Sequence, residues 1–155
     1  KQYEYAILIL KKFLEEPDGW IENKLNSCLV LSCCYQAMGE NAAAFDILFY
    51  SFTMDVPRAE ICCEIGRLFM EKREYVTAAY WYQQALLAPR KKKNGGFYIA
   101  DSHDFIPAIQ MCVCLDKAGR HREAFEFHKK ARVLKPLHQA VIGNEKYFRD
   151  VWGME

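Results

Sequence analysis

Ile65-Gly66-Arg67-Leu68-Phe69, with Ala78, Tyr82 and Ala85 further on, is the middle copy of a pattern that runs through the chain. Thirty-four residues earlier stand Leu31-Ser32, Tyr35, Ala44, Leu48 and Ser51, one for one. A third copy, Met111-Cys112, Leu115, Ala124, His128 and Ala131, lies 46 residues beyond the middle one and adds Gly119 and Pro136. Twelve extra residues therefore separate the second and third copies, while the spacing inside the copy is unchanged. Small residues such as Gly66, Cys112, Ala44, Ala78 and Ala124 let helix axes approach, and Tyr35, Phe69, Leu115, Leu48 and Tyr82 fill the spaces between neighbouring helices. One copy alone cannot bury its apolar face, whereas stacked copies bury a continuous core.

This union of period and residue size resembles the tetratricopeptide repeat, a helix-turn-helix unit of 34 residues. The resemblance implies an all-α, right-handed α-α superhelix of about three hairpins plus flanking helices, with copies at about 25–58, 59–92 and 105–138. The chain departs from the family at the position usually held by Trp, where Cys28, Cys62 and Ala108 stand. Upstream, Tyr3, Ala6, Leu10 and Phe13, ending at Pro17, read as the second helix of an earlier repeat (1–17). Together with the opening at Lys1, this leads to the expectation that the chain is a piece of a longer protein. Downstream, residues 137–150 are predicted to form a capping helix whose Tyr147, Phe148 and Trp152 close the stack. Helices are predicted near 2–16, 20–38, 41–54, 58–71, 74–88, 104–118, 121–134 and 137–150, and no run alternates with the period of two that a strand needs.

Composition narrows the function. The 155 residues are 52% hydrophobic and 26% charged, as in one folded domain or a short repeat array. No run reaches the roughly 20 apolar residues of a membrane span. The seven cysteines, Cys28, Cys33, Cys34, Cys62, Cys63, Cys112 and Cys114, all lie in apolar helical stretches. An odd number so placed reads as reduced, buried thiols of a cytoplasmic protein. Residues 1–89 carry eight Lys/Arg against twelve Asp/Glu, and residues 90–155 carry thirteen against eight. That asymmetry falls short of the concentrated basic footprint of a nucleic-acid binder. No catalytic motif is present, His121 and His128 stand seven apart rather than the four that two histidines sharing a metal require, and no metal, cofactor or catalytic residue is expected.

Two places are candidates for binding. The first is the concave surface formed by the first helix of each pair, where Asn26, Leu29, Cys33 and Gln36, then Glu60, Cys63, Arg67, Met70 and Glu71, then Ile106, Ile109, Val113 and Asp116 are predicted to face inward. Glu60, Arg67, Met70 and Glu71 are its chosen contacts, in a groove suited to an extended peptide or another protein helix. The second is the insertion at about 90–104, Arg90-Lys91-Lys92-Lys93-Asn94-Gly95-Gly96-Phe97-Tyr98-Ile99-Ala100-Asp101-Ser102-His103-Asp104. Long loops in compact proteins are frequently functional, and Lys91, Lys92, Lys93, Phe97, Tyr98 and His103 are its chosen contacts. Ser102 or Asp104 is expected to cap the helix that follows. Of Tyr80 and Trp81, one is expected to reach the surface.

Residues 59–66, the Trp81-Tyr82 pair, Gly95-Gly96-Phe97 and Phe105-Ile106-Pro107-Ala108-Ile109-Gln110-Met111-Cys112-Val113-Cys114 further resemble the repeat region that follows the catalytic domain in a group of bacterial family-2 glycosyltransferases. The resemblance covers about residues 59–148. It implies an accessory module, itself non-catalytic, that holds the acceptor, joins subunits or braces its own catalytic domain. The alternatives are a free-standing peptide-binding adaptor, or a dimerisation arm driven by Ile7, Ile9 and Leu10 or by the C-terminal helix. The partner in each reading is a protein or peptide, a second subunit making a homodimer included.

Overall fold

A computed structural model of the chain describes residues 1–90 and 98–155. Among these residues the regular structure is entirely helical. The helices are α1 (Gln2–Glu15), α2 (Ile21–Ala37), α3 (Asn41–Tyr50), α4 (Ala59–Glu71), α5 (Tyr75–Leu87), α6 (Phe105–Lys117), α7 (His121–Leu134) and α8 (Gln139–Trp152). Short 3-10 turns, Ser51–Thr53 and Ala100–His103, follow α3 and precede α6. The third helix therefore stops at Tyr50 rather than running to 54; the Ser51 hydroxyl donates to the Leu48 carbonyl (2.5 Å) and the chain tightens into the turn.

Sequential helices pair as α2 with α3, α4 with α5, and α6 with α7, and each pair is joined by the same turn. Gly39, Arg73 and Gly119 take the left-handed conformation at φ +79°, +61° and +79°. The N–H groups of Glu40, Glu74 and Arg120 then reach back to the carbonyls of Tyr35, Phe69 and Leu115 at 2.8, 2.9 and 2.8 Å. These bonds satisfy carbonyls that a helix end otherwise leaves open. The three turns stand at the spacings of the repeat itself, so the local geometry recurs even where the residue does not.

Helix α4 is buried on opposite sides and so joins two core clusters. Ile61, Ile65 and Leu68 pack with Leu14, Cys28, Leu31, Tyr35, Ala44 and Leu48. Ala59, Cys62 and Cys63 pack with Ala78, Tyr82, Cys112, Leu115, Ala124, Phe125 and Phe148. Gly66 is required here by close approach, since a Cβ on it would stand 3.0 Å from the Tyr82 ring. A smaller cluster of Phe105, Ala108, Ile109, Ala131 and Val141 seats the start of α8. Phe148 is fully buried, whereas Tyr147 and Trp152 keep much of their surface exposed, so the end of the array is closed chiefly by Phe148 and Val141.

A buried ion cluster fastens the start of α2 to the start of α4. Arg58 Nη2 lies 2.6 Å from Glu22 Oε1 and 2.8 Å from Asp55 Oδ2. Burial works against the Arg58 charge, but hydrogen bonds to Glu22 and Asp55 outweigh it and raise the guanidinium pKa.

Six of the seven cysteines are buried and all seven are free thiols. Cys33 is the exception to the expected burial, because its position on α2 faces outward on the same stripe as Val30 and Ala37. Burial pushes the thiol pKa of Cys28 up to about 11 and of Cys62, Cys112 and Cys114 up to about 12, so these groups stay protonated and unreactive.

Candidate protein-interaction groove

Residues 60, 64, 67 and 71 recur every three or four positions, which puts them on one stripe of α4. At the repeat spacings, Asn26, Val30, Cys33 and Ala37 occupy the matching stripe of α2, and Ile106, Gln110, Val113 and Lys117 that of α6. The three stripes differ in chemistry: small and uncharged on α2, charged on α4, mixed on α6.

Arg67 is the centre of the charged stripe. Its Nη2 donates to Glu64 Oε1 (2.6 Å), its Nε to Glu64 Oε2 (2.9 Å), and its remaining N–H groups to Glu71 and to the Gln36 side-chain oxygen. Gln36 in turn donates to Glu64 (3.0 Å) and Ser32 (3.1 Å), so the network ties α2 to α4. The Glu64 hydrogen bond raises the Arg67 pKa above its already high ordinary value. Burial opposes ionisation of Glu64, but hydrogen bonds from Arg67 and Gln36 prevail and hold its carboxyl below the usual range. Both charges are therefore fixed across the physiological range.

Beside this network is an open cavity of about 280 Å³ lined by residues that include Leu29, Glu60, Cys63, Glu64, Arg67, Tyr82, Ile106 and Gln110. Ile99 and Ser102 form its remaining wall. They belong to a strap, residues 98–104, that lies against α4. The Ile99 N–H donates to Glu60 Oε1 (2.7 Å), and the Cys63 thiol donates to the Ser102 carbonyl (3.4 Å). Tyr98 stacks on His103 with ring centroids 4.7 Å apart, and His103 Nε2 lies 3.7 Å from Glu60 Oε1. Arg90 donates to the His103 carbonyl and to Asp104 (both 3.3 Å), and Lys135 pairs with Asp101. Asp104 Oδ1 accepts from the Phe105 N–H (2.6 Å) and is the cap of α6; Ser102 is buried instead.

Set against the residues chosen from sequence, the groove keeps Arg67 and Glu71, while Glu60 is nearly buried beneath the strap. Met70 is half-buried and accepts the Tyr82 hydroxyl (Sδ at 3.6 Å), so it belongs to the wall behind the groove. Ile109 is core, and Asp116 is engaged by His121 Nδ1 (2.7 Å) and the Tyr147 hydroxyl (2.9 Å). Within the insertion, Tyr98 is half-buried and His103 fully buried, its pKa lowered because burial disfavours the charged imidazolium. His103 is thus an anchor of the strap rather than an exposed contact. Lys91, Lys92, Lys93 and Phe97 lie outside the described residues. Glu64, Ile99 and Ser102 were not chosen from sequence. The i,i+3 spacing of Glu64 and Arg67 signals their pairing, but no local pattern places residues 99 and 102 against α4.

Elsewhere on α5, Tyr80 is exposed while Trp81 packs against Phe49 (5.5 Å) and Phe52 (5.9 Å). On α1, Ile7 and Leu10 pack against the core and only Ile9 of the three proposed dimer residues is exposed. No described helix is long and apolar enough to cross a membrane.

A scan against protein-family models finds no match, and a search of curated proteins finds none either. Solved structures do match. The chain has the fold of MamA. A crystal structure of MamA is similar over 96% of this chain and 81% of its own, at 23% identity and a TM-score of 0.66. MamA of AMB-1 in its P212121 form is similar over 98% and 74%, at 18% identity and a TM-score of 0.69. MamA of MSR-1 in its C2 form is similar over 98% and 78%, at 19% identity and a TM-score of 0.66. At these identities the likeness concerns architecture: an all-helical fold of the tetratricopeptide type.

Proposed function

We propose that the chain is a peptide-binding adaptor of the tetratricopeptide type, which receives an extended segment of a protein partner along α2, α4 and α6. The observation that carries the reading is the Gln36–Arg67–Glu64 network beside an open cavity of about 280 Å³. A fixed set of donors and acceptors next to apolar walls, from Leu29 and Ile106, suits recognition of backbone and side chain together. Its units are 25–58, 59–92 and 105–138, after a partial unit at 1–17, with an insertion at 90–104 and a closing helix at 137–150. The free thiols fit a reducing, cytoplasmic compartment.

Peptide display against the whole chain tests this. Selected peptides are expected to lose about tenfold or more in affinity on Arg67→Ala, the consequence of removing a charge-assisted contact, and to be unaffected by Val76→Ala, an exposed residue of α5 outside the cavity lining. Peptides that bind equally well to both variants, or no enrichment at all, would count against the groove.

A second reading is favoured by the string at 105–114 and the insertion before it: the module serves a bacterial family-2 glycosyltransferase, holding its acceptor, joining subunits or bracing its catalytic domain. The gene sequence upstream of Lys1 decides between the two. An α/β domain with an Asp-x-Asp motif supports the transferase, and further 34-residue repeats alone support the adaptor. A dimerisation arm is the weaker alternative, since Ile7 and Leu10 are already used in the core.

A further inference from the structure

The strap occupies part of the groove that a partner would need. Its hold on α4 centres on Glu60, whose carboxylate accepts from the Ile99 N–H at 2.7 Å and lies 3.7 Å from Nε2 of His103; the Ser102 carbonyl accepts from the Cys63 thiol at 3.4 Å, and Ser102 and His103 are themselves buried. The Ile99 side chain itself is 43% exposed and adds little apolar grip. Ile99 is extended (φ −106°, ψ 107°), so what it presents to Glu60 is the backbone donor that any extended peptide carries. Glu60 is recessed, at 6% exposure. A carboxylate in that place binds whichever donor reaches it, and water or a partner amide replaces the Ile99 N–H with small net loss.

We propose that residues 98–103 are a displaceable occupant of the groove, latched by Glu60, while Asp104 stays as the cap of α6, and that a partner's extended backbone enters by taking over the Ile99 hydrogen bond. The proposal rests on the peptide-groove reading above and adds its regulation: affinity is lowered by the fraction of molecules whose strap is seated. Strap release is a local opening, distinct from unfolding of the array.

Cys63 reports on it. The thiol lies beneath the strap, and burial pushes its pKa up, so alkylation is slow while the strap is seated. Its neighbour Cys62 is fully buried in the core between helices and is freed only when α4 leaves the stack. Cys33 is exposed and serves as the reference. The experiment is iodoacetamide labelling of the 155-residue chain, resolved by peptide mass spectrometry. Cys63 is expected to label about tenfold or more faster than Cys62 and more slowly than Cys33. Equal rates at Cys62 and Cys63 would overturn the proposal, because the strap would then open only by unfolding.

Glu60→Ala is expected to widen the Cys63-to-Cys62 ratio by a further factor of about ten, the loss of one charge-assisted hydrogen bond. Glu60→Gln, which keeps an acceptor oxygen, is expected to stay near the unmodified chain. An unchanged ratio in Glu60→Ala removes the latch from Glu60 and overturns the assignment. If Glu60→Ala instead labels at every cysteine, the variant has unfolded and the ratio in the unmodified chain decides. Labelling needs no partner, so it is separable from the display experiment. A wide ratio without peptide binding would sink the groove reading and the partner half of this proposal with it.

Discussion

The hairpin α4–α5 and the hairpin α6–α7 are built on the same frame and filled differently. At the position where α5 meets α4, Tyr82 is buried, its hydroxyl donates to Met70 Sδ, and it lies against Gly66, the one residue small enough to admit the ring. At the matching position of α7, His128 is fully buried with neither ring nitrogen hydrogen-bonded, and the matching small residue is Cys112. In the hairpin α2–α3 the pair is Leu48 with Ser32. Across the three, the smallest first-helix residue accompanies the largest second-helix residue, so the repeat conserves the space that two positions share rather than either residue. The turns show a second contrast: Gly119 takes the left-handed conformation freely, while Arg73 takes it with a Cβ.

The largest expected effect comes from emptying the well-satisfied site. Tyr82→Ala removes a buried aromatic side chain from the cluster between α4, α5 and α6 and is expected to destabilise the chain by about 3–5 kcal/mol, read by urea unfolding. Gly66→Ala tests the shared-space rule directly. The new Cβ gains helix propensity but meets the Tyr82 ring at 3.0 Å, and overpacking of about 1–3 kcal/mol is expected to prevail. The double variant Gly66→Ala/Tyr82→Leu should be less destabilised than the sum of its parts. Plain additivity would show that the two positions do not share space.

His128→Leu runs in the other direction. It removes two unsatisfied polar atoms from a site flanked by the Phe125 and Phe148 rings at 5.8 and 5.7 Å, and a gain of about 1 kcal/mol is expected. Its pH dependence carries a sign. Burial lowers the His128 pKa below 6.5, against the nearby Glu145 charge, which raises it, and with the Arg132 charge, which lowers it further. The unfolded chain therefore takes up the proton first, and stability is lost as pH falls below about 6.5 toward the lowered value. His103 shifts in the same direction, also through burial. Melting curves between pH 7 and 5 should flatten in His128→Leu without becoming flat, and a variant as acid-sensitive as the parent would contradict this account. The smallest effect is at the turn: Arg73→Gly is expected to gain about 0.5–1 kcal/mol by relieving the left-handed residue, with Gly39 and Gly119 as controls that lose stability on substitution by Ala.

Most of the helical frame was legible because it rests on local, periodic signals. The repeat and the apolar periods flanking it placed eight helices close to their observed limits, and of the two cap candidates, Ser102 and Asp104, it is Asp104 that starts α6. Legibility failed where a residue's environment comes from a distant segment. Cys33 looks like the other thiols in sequence and is exposed because its stripe of α2 has no neighbouring helix over it. Met70 has groove spacing but is drawn into the wall by Tyr82. His103 and Glu60, read separately as an insertion contact and a groove contact, are parts of one latch.

By itself, the sequence determined the fold type, because apolar period, small-residue spacing and turn position act within one or two helices and each copy repeats them. The tertiary structure alone decided what the groove contains. Glu60 and Ile99 stand 39 positions apart with no periodic relation that brings them together, and only the packing of α4, α5 and α6 sets a backbone N–H on that carboxylate.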